Sequence, residues 1–389
     1  MASLTADGGD LCLHYSTGTF SHKYTSGSGS IVTETLAPFA SEPVLQPSLA
    51  VHALTASASI VYGAAKLLLT NQSPNSVFYF RTDPTGTQSI GLFAIGGTLC
   101  LFKGNFSNPT IGGSIATAPA LILDNVYYTF ELAVKCAFAG SASVEVRLNN
   151  VRVPQLTSTD YTASGGQPAG TLTQSTLDTA LNVANDPIRD FSLGSSKRVA
   201  WWVVKRGTSL WKSIATGATT YADATDFVGD RKRAFLRCTG VGNYTVAGGN
   251  WDNGAGTFPT NLADASGSFS ATDSDTSYVN NTTAPVTAGS PLSADKLSMD
   301  YENLPGTATS VGFVQRVVHA RSNLSTQAQL QTFRRSGGTD YADTDVMSLI
   351  DGAYRFKQIP HDTPANSSNS WTPTTVNAVE GGLACYALA

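Results

Sequence analysis

Few residues in this chain have the type and spacing that catalysis or metal binding needs. The five histidines, His14, His22, His52, His319 and His361, never fall at metal-ligand spacing. There is no phosphate-binding or dinucleotide-binding glycine loop, no H-E-x-x-H and no G-x-S-x-G nucleophile elbow. A retaining glycosidase places two carboxylates about 5 Å apart, and the E-x-D-x-x-E strand that supplies them in sandwich-fold glucanases is missing. Glu131 and Glu145 stand singly on adjacent strands, so both are expected to face solvent. The run Asp273-Ser-Asp275-Thr-Ser277 starts like an EF-hand loop. It then has Tyr278 where that loop needs glycine and no glutamate at position twelve. An EF-hand is excluded, while a looser calcium site built from these loop carboxylates stays open beside a simple Asp-capped turn. No cofactor or metal is expected. One stretch has the mixture that grips a sugar ring: GGNWDNGAG puts the flat face of Trp251 among Asn250, Asp252 and Asn253. The competing reading folds Trp251 back over the edge of the fold.

These candidates must be positioned by strands. Only 13% of the 389 residues are charged, about half the roughly 25% usual in globular proteins, and Thr, Ser, Gly and Asn carry the polarity. Threonine favours strands, and Gly, Asn and Ser favour turns, so the class is all-β. The clearest pattern is YYTFELAVKC, where Tyr128, Phe130, Leu132 and Val134 alternate with Thr129, Glu131, Ala133 and Lys135. Alternation resumes in VEVRLNN, and Asn149-Asn150 tolerates the positive φ of a hairpin turn. Gly96-Gly97 between two apolar runs is a second hairpin. Trp201 and Trp202 are adjacent, so a strand points them to opposite faces, one into the core. Thr309 to Ala320 is apolar on both faces and reads as a central strand. No amphipathic helix stands out.

The net charge is −4 and the pI about 5.7, which argues against a general nucleic-acid binder. Arg231, Lys232, Arg233 and Arg237 form one small basic cluster, read as a polar hinge with Gly229 as its turn. It lies in Asp226 to Cys238, where one sandwich is expected to end and the next to begin. The division is 1–50, an N-terminal arm with edge strands; 51–228, a first sandwich; and 229–389, a second. Cys12, Cys100, Cys136, Cys238 and Cys385 show no disulfide or zinc spacing, and four of them sit in apolar strand contexts as small buried thiols. The N-terminus lacks the features of a signal peptide, and no apolar run is long enough to span a bilayer, so no membrane partner is expected and folding in a reducing cytoplasm is.

With both halves laid out, the chain resembles a family of bacteriophage virion proteins built from tandem concanavalin/laminin-G-like jelly rolls. YYTFELAVKC and GSASVEVRLNN resemble the central meander of laminin-G-like modules, with Asn149-Asn150 in place of the usual Asn-Gly. FVGDRKRAFLRC resembles the passage from the first module to the second, DSDTSYVNN the following acidic turn, and WTPTTVNAVEGGL the C-terminal strand approach. The match covers residues 120–389. The resemblance implies two tandem antiparallel jelly-roll sandwiches and a non-enzymatic structural component of a virion, in tail, collar or capsid surface. Its partners would be other virion structural proteins and further copies of itself. The alternative on the same scaffold is a carbohydrate-binding adhesin that recognises host cell-surface glycan through Trp251, Asn250, Asp252 and Asn253. A polysaccharide-degrading enzyme is the third reading, and the missing carboxylate motif argues against it.

Overall fold

The computed structural model describes residues 4–8, 17–21, 25–36, 43–58, 60–82, 89–105, 110–119, 121–136, 142–163, 166–181, 188–207, 227, 236, 238–244, 251–252, 280–281, 295–311, 314–322, 328–349, 355–361, 364–365, 369 and 371–387. The chain divides into two compact units, Met1–Arg233 and Ala234–Ala389.

The first unit is built on one long antiparallel sheet. Its strands are β1 (Leu4–Gly8), β2 (Thr17–Ser21), β3 (Thr25–Thr33), β4 (Pro43–Ala58), β5 (Ile60–Leu69), β6 (Asn75–Arg81), β7 (Ser89–Ile95), β8 (Thr98–Gly104), β9 (Ser114–Ala118), β10 (Tyr128–Lys135), β11 (Ser143–Leu148), β12 (Val151–Arg152), β13 (Ile188–Gly194) and β14 (Lys197–Gly207). They run in the order β12-β11-β10-β5-β14-β4-β13-β6-β7-β8-β9, with β1 on β14 and the β2–β3 pair on β4. Strands from the first fifty residues are thus members of this sheet.

The sheet folds over on itself. Strands β5 and β6 are separated in the ladder by β14, β4 and β13, yet a Cβ at Gly63 on β5 would sit 2.8 Å from Phe80 on β6 and 3.1 Å from Phe191 on β13. Glycine is needed there because the two rings fill the space a side chain would take. The inner face of β5 and β10 (Val61, Leu67, Phe130, Leu132 and Val134) therefore closes against Phe78, Phe80 and Phe191 in a dry sandwich core. Both hairpins read from the sequence are present. Asn149 and Asn150 have φ 50° and 66°, and Gly96 and Gly97 have φ 53° and 82°, the paired positive angles of a turn whose twist matches its strands. Trp202 is buried in the core, as one of the two tryptophans was expected to be.

After β12 the chain runs back along β11 using hydroxyls in place of a regular ladder. The backbone N–H of Val146 donates to Thr157 Oγ1 (3.1 Å), and that of Val144 to Ser158 Oγ (2.7 Å). The loop then turns through Tyr161 and returns at Gly170, whose missing Cβ admits the Ser158 carbonyl at 1.9 Å. A short helix, α1 (Gln174–Leu181), follows, burying Leu177 and Leu181. No helix had stood out from the sequence here.

In the second unit, β15 (Cys238–Val241), β18 (Asp295–Tyr301), β20 (Ala328–Ser336), β21 (Thr339–Leu349) and β23 (Glu380–Ala387) form a sheet in the order β15-β18-β23-β20-β21. Two ribbons accompany it: β16 (Trp251–Asp252) with β17 (Asn280–Asn281), and β19 (Val314–Ala320) with β22 (Arg355–His361). Val318 and Ile359 of the second ribbon pack on Leu297, Leu330, Met347 and Cys385 of the sheet. Among the described residues β19 pairs with β22. Helix α2 (Pro373–Asn377) is started by a reciprocal capping box between Thr372 and Thr375.

The expected all-β class with curled antiparallel sheets holds for both units. Among the described residues, no helix is long and apolar enough to cross a membrane.

Candidate functional site

The chemistry of the first unit gathers on the face of the β12-β11-β10-β5-β14 layer that points away from the Phe80–Phe191 core. Antiparallel register decides its membership. Glu131 lies opposite Ala64 and Arg147, Ala133 opposite Tyr62 and Glu145, and Arg147 opposite Arg152. Trp201 lies opposite Lys66, and Val203 opposite Ala64. Directly opposed residues share a face, so Tyr62, Lys66, Glu131, Glu145, Arg147, Arg152 and Trp201 all project to one side.

This corrects the expectation that Glu131 and Glu145 face solvent. Both are fully buried, as are Arg147 and Arg152. The alternation was read properly, but its polar half lies under other chain. A second cluster built on Val44, Ile60, Tyr62, Ala64, Ala133, Tyr161, Trp201, Val203 and Phe227 occupies this side. The sequence signal that pointed to it is the placing of acidic and basic residues on the same face of neighbouring strands.

The ionic core of the face is a trio. Glu145 Oε1 accepts from Arg147 Nε at 2.8 Å and from Arg152 Nε at 3.0 Å. Arg152 Nη1 also donates to the carbonyls of Thr162 and Pro168 at 3.0 and 2.7 Å, pinning the loop after β12. Glu145 Oε2 and Arg152 Nη2 are buried and have no hydrogen-bond partner among the described residues. Such groups are rare in folded proteins because each forfeits its hydration. Beside the trio, Tyr62 Oη donates to Glu131 Oε1 at 2.6 Å. The Arg147 guanidinium lies 3.8 Å from the centre of the Phe227 ring, and Phe227 meets Tyr62 edge-on at 5.3 Å. Buried on this face are therefore aromatic rings, an open acceptor and an open donor, groups that a polyhydroxylated ring can satisfy.

Other chemistry is shut down by burial. It pushes the Cys100, Cys136 and Cys238 thiols up to about 11, so none is a thiolate at neutral pH. Burial lowers His52 to about 4. His361 falls to about 2 through burial and the nearby charges of Arg334 and Arg316. Cys100, Cys136, Cys238 and Cys385 are free and buried, as expected. Among the described residues no three His, Cys, Asp or Glu side chains are grouped to hold a metal.

Trp251 and Asp252 form β16, with Trp251 opposite Asn281 and Asp252 opposite Asn280. Asn250 and Asn253 lie outside the described residues, as do Cys12, Asp273, Asp275, Gly229 and the basic residues Arg231, Lys232, Arg233 and Arg237.

No protein-family profile matches the sequence, and no curated protein matches it. Among solved structures, the chain is similar to the alginate lyase Aly36B, with 9% identity over 54% of this chain and 98% of that one and a TM-score of 0.29. It is similar to β-agarase A from Zobellia galactanivorans, with 12% identity over 52% and 93% and a TM-score of 0.30. A third is the carbohydrate recognition domain of Emp47p, with 10% identity over 50% and 96% and a TM-score of 0.28. Two of these three are enzymes by name, which corrects the expectation that a sandwich lacking the glucanase carboxylate motif is not an enzyme. Likeness at this level is one of fold and carries nothing about activity or ligand.

Proposed function

We propose that the chain recognises carbohydrate, with the ion-and-aromatic face of the first unit as its principal contact. The observation that carries this reading is the incomplete Glu145–Arg152 pair. A buried carboxylate oxygen and a buried guanidinium nitrogen stand open, with the Arg152 guanidinium 5.5 Å from the centre of the Tyr161 ring. Adjacent hydroxyls of a sugar satisfy one acceptor and one donor together, and pyranose faces stack on aromatic surface. Trp251, Asn250, Asp252 and Asn253 form a second proposed contact, supported by the pairing of Trp251 with Asn281 and Asp252 with Asn280.

The virion setting, with its other structural proteins and self-assembly, rests on the sequence resemblance alone. Immunogold labelling of an intact particle tests it, and absence of label from particles ends it. Glycan-array binding by the full chain tests the recognition reading. Binding is expected, weakened about ten-fold or more in Glu145→Gln, as loss of a charged hydrogen bond in a dry site requires. Trp251→Ala reports separately on the second contact. An array that stays blank for wild type overturns the reading. The same glycans are assayed for new reducing ends and for unsaturated uronate absorbance, which would turn recognition into cleavage.

A further inference from the structure

Phe227, near the end of the first unit, is buried on the polar face. It is 5% exposed and belongs to the cluster on the polar face. Its ring meets Tyr62 at 85° with centroids 5.3 Å apart, and the Arg147 guanidinium lies 3.8 Å from its centre. Tyr62 is bonded to Glu131 and Arg147 to Glu145. The ring therefore lies in a slot whose walls are the two hydrogen-bonded acid partners of the site. The ring presents a flat apolar face to a cation and an aromatic edge, as a sugar ring can.

We propose that Phe227 is a built-in occupant of this slot, holding the place of a ligand ring, so that glycan binding requires its displacement. The proposal rests on the recognition reading above. A binding site filled by its own chain has its apparent affinity lowered by the fraction of molecules in which the slot is filled. Removing the ring leaves the two acid pairs in place and opens the space between them.

The test compares wild type, Phe227→Ala and Phe227→Leu in the full chain, by titration with the glycan that scores highest on the array. Thermal melts show that each variant is folded. The expected result is binding about ten-fold tighter in Phe227→Ala than in wild type, with Phe227→Leu between them because a smaller apolar group fills the slot in part. Equal or weaker binding by a folded Phe227→Ala overturns the proposal, since it makes the ring part of the binding surface or irrelevant to it. If Phe227→Ala fails to fold, Phe227→Leu decides by the same sign. A wild type and variants that bind nothing overturn the recognition reading itself, an outcome distinct from binding that ignores Phe227.

Discussion

Glu145 in the first unit and Asp340 in the second are each one carboxylate served by two basic side chains, and they differ in completeness. Asp340 uses both oxygens: Oδ1 accepts from Arg335 at 2.6 Å, and Oδ2 from Lys296 at 2.8 Å and from the Tyr244 hydroxyl at 2.5 Å. Lys296 and Arg335 also pack on the Tyr244 ring. Burial alone would raise the Asp340 carboxyl, but the hydrogen bonds from Lys296, Tyr244 and Arg335 outweigh it and hold the group below its ordinary 3.8. Glu145 uses only Oε1, for both arginines, and leaves Oε2 open. A completed network rigidifies a fold, whereas a half-completed one in the same setting is unfavourable unless something else fills it. The difference separates a structural brace from a candidate binding site more sharply than residue type does.

The largest effect that would test this contrast is on stability. Glu145→Ala removes the carboxylate shared by two buried guanidiniums and is expected to destabilise the first unit by about 3–5 kcal/mol, read from the denaturant midpoint of tryptophan fluorescence. A loss below about 1 kcal/mol would mean that the arginines find water, and the contrast would fail. Asp340→Asn keeps an acceptor for its partners, which are themselves partly exposed, so the second unit should lose only about 1–3 kcal/mol.

The smallest effect concerns a buried charge with no carboxylate at all. Lys197 is completely buried, with Nζ donating to the carbonyls of Gly194 and Ser195 at 2.7 and 2.8 Å and to Asn75 Oδ1 at 3.5 Å. Burial lowers its pKa from 10.5 to about 7. The folded state then sheds the proton first, so the unfolded chain binds more protons between about pH 7 and 10.5 and stability rises with pH across that window. Below about pH 7 both states carry the charge and the slope vanishes. Lys197→Met should flatten the rise. An unchanged slope in the variant would show that the three oxygens hold the proton and that dipoles alone suffice for a buried cation.

Much of the scaffold was legible in the sequence. Period-two alternation found β10 and β11, paired small residues found the Asn149-Asn150 and Gly96-Gly97 turns, and adjacency split Trp201 from Trp202. The site was not legible, because alternation tells which residues share a face but not whether that face is wet. Glu131 and Glu145 were placed on the polar side properly and then assigned to solvent. What buries them includes Phe227 and Tyr161, which are 96 and 30 residues from Glu131 in sequence, so no local pattern could show the cover. Arg152 was missed for a related reason: its partners Thr162 and Pro168 lie in a loop whose return depends on the absent Cβ of Gly170.

The hydroxyls of Thr157 and Ser158 have a bearing on how this sheet could meet other chains. A terminal strand normally offers a row of free N–H groups on which a foreign strand can grow. Here Val144 and Val146 already donate theirs to side chains from the same molecule. That end of the sheet is sealed by its own chain, and among the described residues the strands left with an outer edge are β1, β2 and β9.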